Sequence, residues 1–286
     1  MTRANGEHKT FLITGASTGI GRACALDLDR RGFTVFATIR RAEDGEALAA
    51  EASKRLRPIF LDVTDRDSIH AAAATVADAV GEAGLDGLVN NAGIAMAGPL
   101  EAMDIERLRR QLDVNVTGQV AVTQAFLPLL RAAQGRIVNM GSIGGLSVIP
   151  FVGAYCASKF ALEALTDALR MELKPWGMEV SIIEPGSVAT PIWRKGVAHA
   201  EASIEGQASA ETLYGTTMDR MRKVIQGTGE EGAPPQAVAE VVHHALTARR
   251  PKTRYLVGRM AHVRALLQRL PDRLRDRLIL RRLTGG

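Results

Sequence analysis

The feature that most constrains this chain is a strict alternation of short, nearly continuous apolar runs with stretches of helical periodicity. Thr10 to Thr14 (TFLIT) reads as a buried strand, Gly19 to Arg31 as a helix and Thr34 to Ile39 (TVFATI) as a second strand. The pattern repeats with a helix over 42–55, a strand over 57–63, an Ala-rich helix over 65–82 and a strand over 85–90. Helical patterns run from Asp104 towards Val116 and on to about Ala133, then strands at 136–140 and 179–183 flank a long helix over about 152–174. Tyr255 to Val257 is a candidate seventh strand. Strands that lack polar alternation are buried on both faces, which calls for a parallel sheet covered by helices on both sides. The expectation is α/β: one doubly wound parallel sheet of about seven strands, in a single domain over 1–258. One stretch breaks the rhythm, from Ser187 to about Pro235, polar and only weakly helical near Thr216 to Gln226. A strandless segment of this length inside a domain is usually a lid or binding loop.

Composition narrows the setting. Cys24 and Cys156 are the only cysteines among 286 residues, so neither a disulfide framework nor a four-cysteine metal site is available, and no metal is expected. The first ten residues have no apolar core of signal-peptide length, and no run of about 18 apolar residues occurs. A reducing, cytoplasmic location is the expectation, with peripheral contact at a membrane surface left open. The formal net charge of +5 is unevenly spread. Residues 249–286 hold 12 Lys/Arg and 2 Asp/Glu, net +10, which leaves net −5 for the rest. Within that tail, 259–286 reads as a basic amphipathic extension, with Val263, Leu266, Leu267, Leu270, Leu274 and Leu278 at helical spacing and Pro271 as a break or new start. Such a segment suits a membrane surface, a lid over a pocket or a subunit contact. It has no aromatic interleaving, so nucleic acid is not an expected partner.

Three local patterns carry chemistry. The first strand runs into Thr14-Gly15-Ala16-Ser17-Thr18-Gly19-Ile20-Gly21 and then a helix. Glycines there let backbone approach a pyrophosphate at a helix N-terminus, although such a turn also serves plain packing. The second strand ends at Ile39, Arg40 and Arg41, where an NAD site would place an acid on the ribose hydroxyls. Two guanidiniums in place of a carboxylate favour a 2′-phosphate, hence NADP(H), with NAD(H) the alternative and a solvated charge pair the plainer reading. Tyr155 and Lys159 stand four apart on one predicted helix face, where an ammonium lowers a phenol's pKa towards a working acid/base. Ser142 falls at the end of the fifth strand, the edge where parallel sheets bind ligands.

Taken together, TGASTGIG at 14–21, Asp62-Val63, Asn90-Asn91-Ala92-Gly93, Asn115, Ser142, Tyr155-x-x-x-Lys159 and Pro185-Gly186-x-x-x-Thr190 resemble the short-chain dehydrogenase/reductase family, in order and spacing, over about residues 10–190. VFATIRR, GAYCASKFALEALTDALRMEL and VSIIEPG look most like its retinol, 17β-hydroxysteroid and hydroxybutyrate dehydrogenase branch. The resemblance implies a Rossmann-type oxidoreductase that moves hydride between an alcohol/carbonyl pair and a nicotinamide cofactor. It implies that Tyr155 exchanges a proton with the substrate oxygen, Ser142 hydrogen-bonds that oxygen, Lys159 holds the nicotinamide ribose and tunes Tyr155, and Asn115 anchors a relay water. Gly15, Ser17, Thr18 and Ile20 then line the phosphates, with Arg40 and Arg41 at the 2′ position. Asp62 and Val63 bracket the adenine, Asn91, Ala92 and Gly93 touch the adenosine side, and Pro185, Gly186, Val188 and Thr190 cover the nicotinamide end. A homodimer or homotetramer is implied too. One departure is Gly141, where a second serine is common.

The substrate side is apolar on sequence grounds: Ile143 to Gly153 beside Ser142, then Ile192, Trp193, His199, Tyr214 and Met218 after Thr190. That suits a lipophilic alcohol or ketone, and the resemblance to the retinol and 17β-hydroxysteroid branch implies a retinoid, steroid or similar. The alternatives are an NAD-dependent enzyme for a small hydroxy acid, with Arg194 or Lys195 as the cationic partner, and a dinucleotide-sensing protein without turnover.

Overall fold

Each apolar run becomes a strand of one sheet in the computed structural model, which describes residues 9–194, 213–215, 219 and 232–284. The strands are β1 (Thr10–Ile13), β2 (Thr34–Ile39), β3 (Leu56–Phe60), β4 (Gly87–Asn90), β5 (Arg136–Met140), β6 (Glu179–Pro185) and β7 (Arg254–Val257). All neighbours pair in parallel, in the order β3-β2-β1-β4-β5-β6-β7. The connecting helices are α1 (Gly19–Arg30), α2 (Ala42–Ala49), α3 (Arg66–Val80), α4 (Ile105–Leu112), α5 (Gly118–Ala133), α6 (Gly153–Glu172) and α7 (Pro235–Thr247). After β7 come α8 (Arg259–Leu267) and α9 (Asp272–Thr284), broken at Pro271 as the sequence anticipates.

Alternate residues of the inner strands bury against opposite helix layers, while edge strand β3 leaves Arg57 and Phe60 exposed. Phe11 and Ile13 pack with Ala23, Leu28, Val238 and Val242, whereas Leu12 and Phe36 pack with Val76, Val122 and Phe126. This is why the runs carry no polar alternation. The strand order reverses direction between β1 and β4, the switch point where doubly wound sheets open a crevice at their carboxyl ends.

The largest departures from the sequence reading are two elements that stop early and one helix without a sequence counterpart. Helix α2 stops at Ala49, six residues short, because the buried Asp29 carboxylate accepts hydrogen bonds from the Ser53 amide and hydroxyl and draws the chain out of the helix. Strand β3 ends at Phe60, and Asp62 instead accepts from the Thr64 amide at 2.9 Å in a turn. Helix α7 went unread, though it begins on Pro235 and places Val238, Ala239, Val242, Ala245 and Leu246 in the core against α1. Among the described residues, no helix is long and apolar enough to cross a membrane. The weak helical pattern at 216–226 lies, apart from Asp219, outside the described residues.

Candidate active site

The carboxyl ends of the strands open into one cleft of about 1110 Å³. At its first end the chain turns out of β1 through Gly15, held at φ +66°, where a Cβ would stand 2.8 Å from the Ala92 Cα. Gly21 sits so close to the preceding turn that a Cβ would lie 2.3 Å from the Gly15 carbonyl oxygen and 2.4 Å from Asn91 Nδ2. Asn91 is the clamp: its amide nitrogen donates to the carbonyls of Thr14 and Gly15 at 2.9 and 3.1 Å. Thr14 Oγ1 accepts from the backbone amides of Asn91 and Ala92, each at 2.9 Å. The turn is thereby locked against β4. Helix α1 starts at this turn with no side-chain cap on Thr18 and no acid in its first turn. Free amides and a positive dipole end therefore face the cleft, which fits a pyrophosphate group.

The next stations are Arg40 after β2 and Asp62 after β3, with Arg40 Nη1 3.8 Å from Asp62 Oδ2. Burial pushes the Asp62 carboxyl up, but the Thr64 hydrogen bonds and the charges of Arg40 and Arg110 outweigh it and hold the group below the ordinary carboxylate value. Arg107 and Arg110 of α4 line this part of the cleft as well, and nothing in the sequence pattern pointed there. Arg41 is placed elsewhere. Its Nε and Nη2 pair with Asp44 at 3.0 and 2.8 Å across the start of α2, and it does not line the cleft. An acid three residues on, at a helix N-terminus, is the physical reason.

At the other end, Ser142, Tyr155 and Lys159 come together, all buried. Ser142 caps the 3-10 turn Ile143–Gly145, its hydroxyl oxygen accepting from the Gly144 amide at 3.0 Å, which fixes the side chain. The preceding Gly141 is explained by space: a Cβ there would meet Ile182 Cγ1 at 2.8 Å and the Ile183 carbonyl oxygen at 3.0 Å. Tyr155 and Lys159 project from one face of α6, with Lys159 Nζ 5.8 Å from the Tyr155 ring centre. The expected lowering of the Tyr155 pKa is not what this geometry yields. Burial pushes the phenol up to about 12, only partly offset by its contact with Ser142. The Lys159 ammonium donates instead to the Met140 carbonyl at 2.7 Å. Burial also pushes Lys159 down to about 8, with Glu163 pulling it back up.

Asn115 does not line the cleft. It sits fully buried in a π-helical turn, Asp113–Thr117, and both ends of its amide are taken: Nδ2 donates to Ile94 O and Ser158 Oγ at 3.0 Å each, and Oδ1 accepts from Ile94 N at 2.9 Å. The Asn115 side-chain amide is thus committed to protein partners, while the π turn disturbs the main-chain ladder at this point.

The remaining residues expected around a cofactor, Ser17, Thr18, Ile20, Val63, Ala92, Gly93, Pro185, Gly186, Val188 and Thr190, all line the cleft. Ile192 and Trp193 line it too, and Trp193 meets the Tyr155 ring edge-on with centres 5.0 Å apart. Tyr214 packs on Phe151 and hydrogen-bonds Glu101, outside the lining. Arg194 is exposed and also off the cleft, while Lys195, His199 and Met218 lie outside the described residues. The far wall comes from the C-terminal extension: Met260, Arg264 and Leu267 of α8 and Leu278 and Ile279 of α9. Arg264 ties this wall to the catalytic side by donating to Ser147 Oγ and to the Ser147 carbonyl. Leu267 and Leu278 belong to the apolar stripe legible in the sequence, but Met260 and Arg264 had no signal of their own.

Comparison with known proteins agrees with this geometry. Residues 9–201 match the model of a family described as short chain dehydrogenase. An NADPH-dependent 3-dehydrocapnine reductase of Ornithobacterium rhinotracheale is 36% identical over 273 residues, covering 93% of this chain and 94% of that protein. Human retinol dehydrogenase 5 is 40% identical over 255 residues, covering 86% of this chain and 79% of that protein. A solved short-chain dehydrogenase from Streptomyces avermitilis superposes with a TM-score of 0.78 at 32% identity, covering 98% of each chain.

Proposed function

Because this chain belongs to the short-chain dehydrogenase family and is an alcohol/carbonyl oxidoreductase, we propose that it interconverts an alcohol and a carbonyl on a lipophilic substrate with NADP(H). The observation that carries the reading is the convergence of buried Ser142, Tyr155 and Lys159 in the same cleft as the uncapped start of α1, facing an apolar wall. The cofactor supplies or accepts the hydride when bound. Tyr155 takes up or delivers the substrate oxygen's proton, and Ser142, held by Gly144, hydrogen-bonds that oxygen. A Lys159 ammonium, 5.8 Å from the Tyr155 ring centre, favours the phenolate against the burial that holds the phenol up. Asn115 serves the proton path through its main chain, since its amide is committed to Ile94 and Ser158.

NADP(H) is favoured over NAD(H) because β2 runs into Arg40 with no acid and Arg110 adds a second cation beside Asp62. The Ornithobacterium relative is named NADPH-dependent. The lipophilic substrate is favoured by Ile149, Val152, Trp193, Met260, Leu267 and Ile279 in the lining, with Ser147 and Arg264 as the polar exception near the catalytic end. The small hydroxy-acid reading loses Arg194, which is exposed away from the cleft. A homodimer through α4 and α6 fits the exposed Leu100, Ile105 and Phe160, because α4 packs on α6 and Leu100 meets Gly153 at its start.

The test is a panel of retinoids, hydroxysteroids and medium-chain ketones followed by NADPH absorbance. Turnover of a lipophilic carbonyl with NADPH, and much less with NADH, is the expected result. Tight cofactor binding with silence across the panel would favour a dinucleotide sensor instead.

A further inference from the structure

Behind the catalytic face of α6 lies a knot of charged side chains that the proposed reaction does not use. Glu163 stands one turn beyond Lys159, Glu184 immediately precedes Pro185 on β6, and Arg254 opens β7. Arg254 Nη1 donates to both glutamates, to Glu163 Oε2 and to Glu184 Oε1 at 3.0 Å, while Nη2 donates to Asp167 Oδ2 at 2.8 Å. The glutamate side chains are 9% and 1% exposed, against 38% for Asp167, so the pair lies on the dry side of the guanidinium. The other Glu163 oxygen, Oε1, is buried without a hydrogen-bond partner. It lies against the turn that follows Ser142: a Cβ on Gly145 would stand 3.0 Å from Oε1 and 3.0 Å from the Lys159 carbonyl oxygen.

Two dehydrated carboxylates on one guanidinium nitrogen repel each other, and such a pair takes up a proton that belongs to both. The groups facing Glu163 are Lys159 and Asp167 from its own helix, Glu184 from β6 and Arg254 from β7; the turn 143–145 offers only glycine backbone at Gly145. Burial and then the Glu184 charge push the Glu163 carboxyl up, and burial first pushes Glu184 up as well. Lys159, buried as well, has Glu163 as the charge that pulls it back up.

We propose that Glu163 is a positioning residue of the reaction: the proton it shares with Glu184 decides whether a negative charge stands one turn from Lys159, and so whether Lys159 remains an ammonium beside Tyr155. The inference rests on the catalytic reading of Lys159 given above. It makes the carboxyl pair a rheostat for the proton chemistry although neither glutamate lines the cleft.

The chain has seven lysines, few enough to follow Lys159 directly by the 13Cε resonance in 13C-lysine-labelled protein. In Glu163→Gln, which keeps the shape and removes the charge, the Lys159 titration midpoint falls by about one pH unit. In Glu184→Gln the repulsion on Glu163 is gone, Glu163 ionises more readily, and the Lys159 midpoint rises. Opposite shifts support the inference. An unchanged midpoint in Glu163→Gln, or shifts of the same sign in both variants, overturns it and leaves the knot as a brace between α6, β6 and β7. Turnover is read separately. If Lys159 shifts as expected but the alkaline limb of kcat does not follow its titration, the coupling stands and the catalytic reading of Lys159 fails. Should Glu163→Gln not fold, the rise in Glu184→Gln remains the deciding arm, and its absence overturns the inference.

Discussion

The two ends of the cleft are built from different materials. At the phosphate end the turn after β1 is backbone and short side chains, held by contacts too tight for a Cβ at Gly15 and Gly21, with Arg40 and Arg110 beside Asp62 as long side chains. At the substrate end the lining is bulky side chains from stretches far apart in the chain, 142–156, 185–193, 260–267 and 278–279. A cradle of backbone has few ways to vary without losing the approach of the ligand. A wall of side chains on separate helices exchanges one apolar residue for another at modest cost. The difference is one of architecture: one end of the cleft is fixed by backbone contacts, and the other is a wall of side chains laid over it.

Substitutions at the two ends ought to separate accordingly. The largest effect belongs to the joint between them: Tyr155→Phe lowers kcat by about 10²–10⁴-fold, the range for loss of a general acid/base. Cofactor affinity, measured by fluorescence titration, stays within twofold or so of the parent because only a hydroxyl is lost from the wall. Comparable loss of both would mean that Tyr155 belongs to the binding site more than to the chemistry.

At the phosphate end, Arg40→Ala weakens NADPH binding by about 10- to 100-fold, as expected for charge-assisted hydrogen bonds contributing about 1.5–3 kcal/mol. NADH binding changes little. Equal losses for the two cofactors would show that Arg40 serves Asp62, its neighbour at 3.8 Å, and not a phosphate.

A smaller effect tests the backbone-limited style close to the catalytic serine. Gly141→Ala introduces a Cβ against Ile182 and the Ile183 carbonyl. Thermal unfolding registers a loss of about 1–3 kcal/mol, and the loss is less than additive when combined with Ile182→Ala. Full additivity would mean that the turn relaxes freely and that glycine is not required there.

The smallest effect belongs to the substrate wall. Leu278→Ser raises KM for a lipophilic substrate by about fivefold, equivalent to roughly 1 kcal/mol of lost apolar contact, with kcat and cofactor affinity unchanged. An unchanged KM would put α9 outside the substrate's reach and return its exposed Leu274, Leu278 and Leu280, with the arginines between them, to a membrane or subunit contact.

Legibility in the sequence follows the same division. The glycine turn after β1, Arg40, Ser142, Tyr155 and Lys159 all line the cleft, and that placement is legible because each depends on residues within one strand-turn-helix unit or one helix face. Arg41 misled because its role depends on Asp44 at the start of α2, and ion pairing at a helix terminus looks in sequence the same as a pair of phosphate ligands. Tyr155 misled in sign: an ammonium four residues away was expected to dominate, but burial and the Met140 carbonyl's hold on Lys159 come from β5 and the surrounding core. Arg107, Arg110, Met260 and Arg264 carried no pattern that aimed them at a ligand, because the alignment of α4 and α8 with the cleft is a property of packing.

Hydrophobic periodicity and the glycine-bounded turns suffice to specify a doubly wound parallel sheet and the location of its ligand edge, since these depend on local backbone geometry and on which strands are buried twice, whereas the class of chemistry is implied by the family resemblance of the joint motif set around Ser142, Tyr155 and Lys159. The net charge likewise separates an acidic body from a basic extension on sequence alone. Folding decides where the apolar edge of that extension lies, turning Leu267 and Leu278 onto the cleft and fastening Arg264 to Ser147. It also brought Glu163, Glu184 and Arg254 together from three elements. Burial is a sum over the whole molecule, and the charge that a buried lysine carries depends on neighbours that the linear chain keeps up to 95 residues away.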